Sequence, residues 1–292
     1  MTAPRAELAL RAPALLGEGP CWHAARGTLW WLDITGRRLF EWDLRAAAPR
    51  TVPLAQLPGA IAPARDGRFV AALHEGLYLV APEDGALEPF ATLPGHDPRH
   101  FRCNDGKVDP QGRFWAGTLS LTGRTGQSRL FRIGANRAVA VQREGVTISN
   151  GLAWSPDGRT LYYVDSPTRR VQAFAFDGAA GTLHDARTAF ALEPDEGWPD
   201  GCCMDAEGGL WLGHWGAGRL TRWDPVAGRR LLTVRLPVTH VTSCAFAGPR
   251  LDRLFITTAA PDAPGAAPEP EAGCLFTLDP GVPGLPIPVF AL

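Results

Sequence analysis

The chain has 292 residues, 45% hydrophobic and 20% charged, a composition that excludes a disordered or fibrous chain and leaves room for a substantial core. Lys and Arg (29) nearly cancel Asp and Glu (30), for a formal net charge of −1, so nothing in the charge balance favours nucleic acid or an anionic membrane surface as partner. A small-molecule ligand is the expectation, and no stretch approaches the roughly 20 apolar residues of a membrane span.

From the N-terminus, Arg5 and Arg11 interrupt the apolar residues of the first segment, which therefore lacks the unbroken apolar run of a secretory signal; a cytoplasmic protein is expected. A Gly or Asp turn followed by an aromatic or apolar strand then recurs six times, at Gly27–Asp33, Gly67–Leu73, Gly112–Thr118, Gly158–Asp165, Gly208–His214 and Asp252–Thr258. Successive starts lie 40, 45, 46, 50 and 44 residues apart, so six units account for nearly the whole chain. Each unit continues with a second strand pattern, as in Arg38–Asp43, Ser128–Arg132 or Arg219–Asp224, alternating polar with apolar residues between Gly, Pro and Asp. An apolar strand before each turn and another closing each unit make four strands per repeat. The pattern predicts an all-β fold, one six-bladed β-propeller of four-stranded antiparallel blades over residues 1–292. The early segment Ala6–Arg11 lies outside the first repeat and is expected to pair with the last blade, beside Ile287–Ala291, closing the ring and its sheet edges. Six scattered cysteines (21, 103, 202, 203, 244 and 274) read as reduced, partly buried thiols.

In such a meander the first strand of each blade lies nearest the axis. The segments entering these strands share one face of the disc with the loops joining second and third strands. Those entries carry Glu18, Asn104 with Asp105, Asn150, Asp200, and Thr242 with Ser243; blade 2 offers only Gly59-Ala60-Ile61. An Asx-Gly pair such as Asn150-Gly151 or Asp200-Gly201 is by itself ordinary turn chemistry. Glu18, Asn150 and Asp200 facing one axis are not required by turns, and carboxylates packed together without a cation are costly. Two carboxylates and an amide oxygen suit one divalent cation, whether calcium, zinc, manganese, magnesium or iron(II), with water completing its shell. His214 and His240 are read as hydrogen-bonded packing residues near the mouth.

Four stretches together, Leu16–Pro20, Arg102–Thr118, Ser149–Gly158 and Pro199–Asp205, resemble the SMP-30/gluconolactonase family of regucalcin-like sugar lactonases. The resemblance implies a six-bladed propeller, a divalent metal on Glu18, Asn150 and Asp200, substrate contacts from Arg102 and Asn104, and Asp200 as the acid/base residue. One departure is that Leu119-Ser120-Leu121-Thr122 stands where regucalcin-like members carry an acidic substrate contact. The expected activity is hydrolysis of an aldonolactone, such as glucono- or xylonolactone. The metal would polarise the carbonyl while Asp200 moves the proton of the attacking water. Metal-bound water with Asp105 or Asp200 as proton acceptor is the other route. Trp198 and Trp215 are candidates to lie against a sugar ring. A hydrolase of non-sugar lactones, esters or organophosphates, or a non-catalytic calcium-binding propeller, are the rival readings. A monomer or small homo-oligomer is expected.

Overall fold

The structure, a computed structural model, describes residues 5–261 and 267–292. Among the described residues, twenty-four strands form six four-stranded antiparallel sheets, the six blades of a β-propeller. Five blades are consecutive meanders. The sixth joins His240–Ala247, Arg253–Ala259 and Leu275–Leu278 to the N-terminal strand Glu7–Leu10, with Glu7 opposite Thr277 and Leu8 opposite Phe276.

The expected place of Ile287–Ala291 beside that strand needs correction. The tail instead crosses the base of the disc, the face where inner strands end. Ala206 N donates to Pro283 O (2.9 Å), Phe290 N to Pro63 O (2.8 Å) and Ala291 N to Gly112 O (2.9 Å), so the tail runs from blades 5 and 6 to blades 2 and 3. Pro283, Pro286 and Pro288 cannot donate to a ladder, which disfavours a strand here. Phe290 is fully buried, its ring edge-on to Phe90 at 5.6 Å.

The core is divided among the blades. Six apolar clusters each lie between two adjacent sheets, for example Trp30, Leu39, Ile61 and Phe69 between blades 1 and 2, and Trp115, Trp154, Tyr163 and Phe176 between blades 3 and 4. Both faces of each blade are therefore covered, which is why Thr28–Asp33 buries five consecutive residues instead of alternating. Among the described residues the only helical segments are the 3-10 turns Ser166–Thr168 and Pro194–Glu196, and no helix is long and apolar enough to cross a membrane.

The inner strands are Gly17–His23, Pro58–Pro63, Phe101–Val108, Ser149–Trp154, Trp198–Met204 and His240–Ala247. Every one of them loses register with its neighbour at the same depth. The interruptions fall after Glu18, between Pro58 and Ala60, at Asn104-Asp105, at Asn150-Gly151, at Asp200-Gly201 and at Thr242-Ser243. A β-bulge inserts an unpaired residue and re-aims side chains. Six bulges around one axis thus present six positions to a shared centre. The glycines after Asn150 and Asp200 serve close approach between blades: a Cβ on Gly151 would stand 2.6 Å from Asp200 O, and one on Gly201 2.2 Å from Ser243 Oγ.

Candidate active site

The bulges interrupt the ladder, so the carbonyls beside them need other donors. Each of the three proposed metal-ligand positions is preceded by a carbonyl capped from elsewhere. Thr242 Oγ1 donates to Gly17 O (2.6 Å) before Glu18, Asn104 Nδ2 to Ser149 O (2.8 Å) before Asn150, and Ser166 Oγ to Pro199 O (2.7 Å) before Asp200.

These caps belong to a directed chain of hydrogen bonds. Arg102 Nη1 donates to Asn104 Oδ1 (2.8 Å), Asn104 Nδ2 to Asn150 Oδ1 (3.0 Å), and Asn150 Nδ2 to Ser166 Oγ (2.8 Å), which passes on to Pro199 O. The relay runs from blade 3 through blade 4 to the residue before Asp200. Asn104 therefore spends both amide hydrogens inside the protein; toward a substrate it retains only acceptor capacity at Oδ1. Arg102 Nη1 is likewise committed, to Asn104 and to Cys103 O (2.9 Å), while the rest of its fork remains available to a ligand's oxygens.

Glu18, Asp105 and Asp200 are all buried, at 8, 6 and 5% exposure; Asp200 feels the charges of Glu18 and Asp105, and Glu18 that of Asp105. Burial pushes Glu18 up to about 8; the charge of Asp105 adds to this, against the Gly19 N–H, Arg102 and Lys107. Asp200 is held well above the ordinary carboxylate range by burial, then by Glu18 and Asp105. Burial also raises Asp105, opposed by Lys107 and by the Gly106 N–H, which donates to its Oδ1 at 2.7 Å. Asp200 Oδ1 and Asp105 Oδ2 are buried with no hydrogen-bond partner. Mutually repelling carboxylates with orphaned oxygens are what a bound cation relieves, and the hard oxygens of Glu18, Asp200 and Asn150 fit a divalent one. Among the described residues no group of three or more His, Cys, Asp and Glu side chains is placed to hold a metal, so a cation here relies on the Asn150 amide and water beside the two carboxylates.

The other candidates separate. Asp105 lines an axial cavity of about 350 Å³ with Lys107, Leu152, Met204 and the tail residues Leu285 and Ile287; none of Glu18, Asn104, Asn150 and Asp200 lines it. Trp198 opens the inner strand of blade 5 and is 40% exposed, with the Arg169 guanidinium 4.3 Å over its ring. Trp215, paired opposite Trp198, is stacked on His240 at 4.0 Å. His214 is fully buried, Nδ1 toward Glu196 O (2.8 Å) and Nε2 toward Thr221 Oγ1 (2.7 Å), a packing residue as expected. In the loop that joins the second and third strands of blade 6, residues 262–266 lie outside the described residues.

Two groups escape the sequence reading as site residues: Ser166, which links Asn150 to Pro199, and Lys107, whose Nζ donates to Cys202 O. Ser166 had no repeat signal. Lys107 had none either, its signal being compositional.

Residues 16–260 match the SMP-30/Gluconolactonase/LRE-like region. The chain belongs to this family. It is 36% identical to regucalcin of Xenopus laevis, with all of both chains covered. Among solved structures it is similar to a regucalcin of Agrobacterium tumefaciens described as a calcium-binding protein (TM-score 0.92, 30% identity, 100% of this chain and 98% of that one). It is also similar to a gluconolactonase of Xanthomonas campestris (TM-score 0.76, 26% identity, 96% and 90%). In this SMP-30/gluconolactonase-like chain, the bulged inner strands put the sequence-expected residues Glu18, Arg102, Asn104, Asn150 and Asp200 into one electrostatic and hydrogen-bonded group.

Proposed function

We propose that this chain is a metal-dependent lactonase that opens a sugar lactone to its aldonic acid. The observation that carries the reading is Asp200: a buried carboxylate with one unpartnered oxygen, on a bulge with its preceding carbonyl pinned, beside a second buried carboxylate. Similarity to a gluconolactonase supports the reaction class.

A divalent cation held by Glu18, Asn150 and Asp200 would supply Lewis-acid polarisation of the lactone carbonyl. The chain's own residues do the rest. Asp200 accepts a proton from the attacking water as the carbonyl carbon becomes tetrahedral, then returns it to the ring oxygen as the C–O bond breaks. Arg102 orients hydroxyl or carbonyl oxygens through its uncommitted donors, and Asn104 holds Arg102 in place. A second reading, a less hydroxylated lactone or ester, is favoured by apolar side chains at the mouth: Leu15, Leu121 and Trp198 are 56, 46 and 40% exposed.

The test is acid release from a panel of aldonolactones and alkyl lactones, with calcium, zinc, manganese or magnesium and after chelation. At least one lactone is expected to open about tenfold or more above buffer with metal, and not after chelation. Background rates for every lactone under every metal would overturn the enzyme reading; preference for alkyl lactones would select the second substrate class.

A further inference from the structure

Lys107 is the only lysine among 29 Lys and Arg residues. In a chain that otherwise uses arginine for every basic position, the one ammonium is set on an inner strand, where it lines the axial cavity. Its Nζ donates across the channel to Cys202 O in blade 5. The bulge carrying Asp200 lies between Pro199 and Cys202, and the two flanking carbonyls are taken by Ser166 on one side and Lys107 on the other. Asp200 is thus suspended between two donors from outside its own blade. A guanidinium is a wide planar fork of five donors, whereas one carbonyl beside a group of carboxylates suits a compact point charge.

The charges around it are specific. Glu18, Asp105 and Asp200 bring three negative charges when ionised, and Arg102 and Lys107 two positive ones. A divalent cation turns that deficit of one into an excess of one, and an oxyanion formed on the substrate then neutralises it. Without Lys107 the loaded site would already be neutral, and the oxyanion would meet no net positive charge.

We propose that Lys107 is a positioning residue for lactone opening: its ammonium fixes the bulge that presents Asp200 and supplies the positive charge that the developing oxyanion neutralises. This rests on the lactonase reading above. Lys107→Gln keeps an N–H donor for Cys202 O and removes the charge, and Lys107→Met removes both. Both folded variants are expected to lose about 100-fold in kcat with KM within about threefold of native. Their affinity for calcium ion alone, measured by titration calorimetry, is expected to rise about threefold or more, because a repelling charge has gone. Native kcat in Lys107→Gln overturns the proposal. So does loss of calcium affinity in step with a lowered Tm, the signature of a purely structural residue. If neither neutral variant folds, the folded Lys107→Arg decides on the charge: calcium affinity within about twofold of native, the positive charge being kept, supports the proposal, and affinity raised about threefold or more with the charge still in place overturns it. If the native protein opens no lactone, the lactonase reading fails by itself, and the calcium titration alone judges Lys107: tighter binding in the variants supports its electrostatic role and weaker binding overturns it.

Discussion

Asp200 and Asp205 stand five residues apart at the two ends of one inner strand of blade 5, both buried, and they are satisfied in opposite ways. Asp205 at the base receives the N–H of Glu207 (3.0 Å) and Gly209 (2.8 Å), the indole N–H of Trp211 (2.9 Å) and Arg222 Nε (2.7 Å). Asp109 repeats the arrangement in blade 3 with Gln111, Arg113 and Trp115. Asp200 at the mouth is left with an unpartnered oxygen and two carboxylates for neighbours. The Asp205 carboxylate is saturated by the fold itself, whereas that of Asp200 keeps an oxygen free of any partner among the described residues. The same lesson comes from blade 2, which meets the ring with Gly59 where blade 5 has Asp200. A Cβ there would stand 2.5 Å from the Cys103 carbonyl carbon. A blade closes without an acid at this position.

The contrast is best broken by deleting each acid. Asp200→Ala is expected to lower kcat about 1,000-fold or more while the Tm measured with chelator stays level or rises, since a desolvated carboxylate has been removed. Activity within tenfold of native would make Asp200 a bystander. Asp205→Ala should do the reverse, costing about 3–5 kcal/mol in denaturant unfolding by stranding Arg222, Trp211 and two backbone donors. A loss below about 1 kcal/mol would erase the distinction between the two ends.

Blade 5 also carries a buried titratable group where blade 2 has Leu73: His214 pairs with Pro199 as Leu73 pairs with Pro58. Burial lowers His214 to about 4, against the Glu196 carbonyl that raises it. A lowered folded value means that the unfolded chain binds this proton more readily. The penalty is absent above pH 6.5 and grows as pH falls toward 4, reaching about 3 kcal/mol. His214→Gln should flatten that part of the stability curve; an unchanged slope would locate the acid sensitivity elsewhere. The smallest effect is expected at Trp198, whose ring sits under Arg169 at the open mouth. Trp198→Ala should raise KM a few-fold, about 1 kcal/mol or less, with kcat retained; a collapse of kcat would move this residue into the chemistry.

Whatever repeats was legible in the sequence. The six turn-and-strand phrases foretold the second strand of each blade and the pattern that follows each of them the third, and their register brought Glu18, Asn150 and Asp200 to one axis. The reason an Asx-Gly pair recurs was not legible, because a bulge is a relation between two strands and the glycine answers to a third, as Gly201 does to Ser243. The saturation of Asn104 and the bridging by Ser166 are equally properties of neighbours that meet only in the closed ring. The path of the tail escaped prediction since its apolar residues and prolines suit a strand edge and a loop alike, and the buried seat of Phe290 decided between them. Lys107 was visible all along as a compositional singularity, but only its bond to Cys202 shows where the singular charge is used.

The sheet that joins Glu7–Leu10 to Leu275–Leu278 has a temporal consequence. Its first pair, Glu7 with Thr277, spans 270 residues of chain, so this blade cannot assemble during synthesis until almost everything else has emerged. The cap from Thr242 to the carbonyl before Glu18 crosses the same seam, between the last blade and the first. Glu18 is therefore held opposite Asp200 only once the ring has closed. Blades 3, 4 and 5 by themselves hold Asn150 and Asp200 without Glu18, so the proposed cation site is complete only in the closed ring.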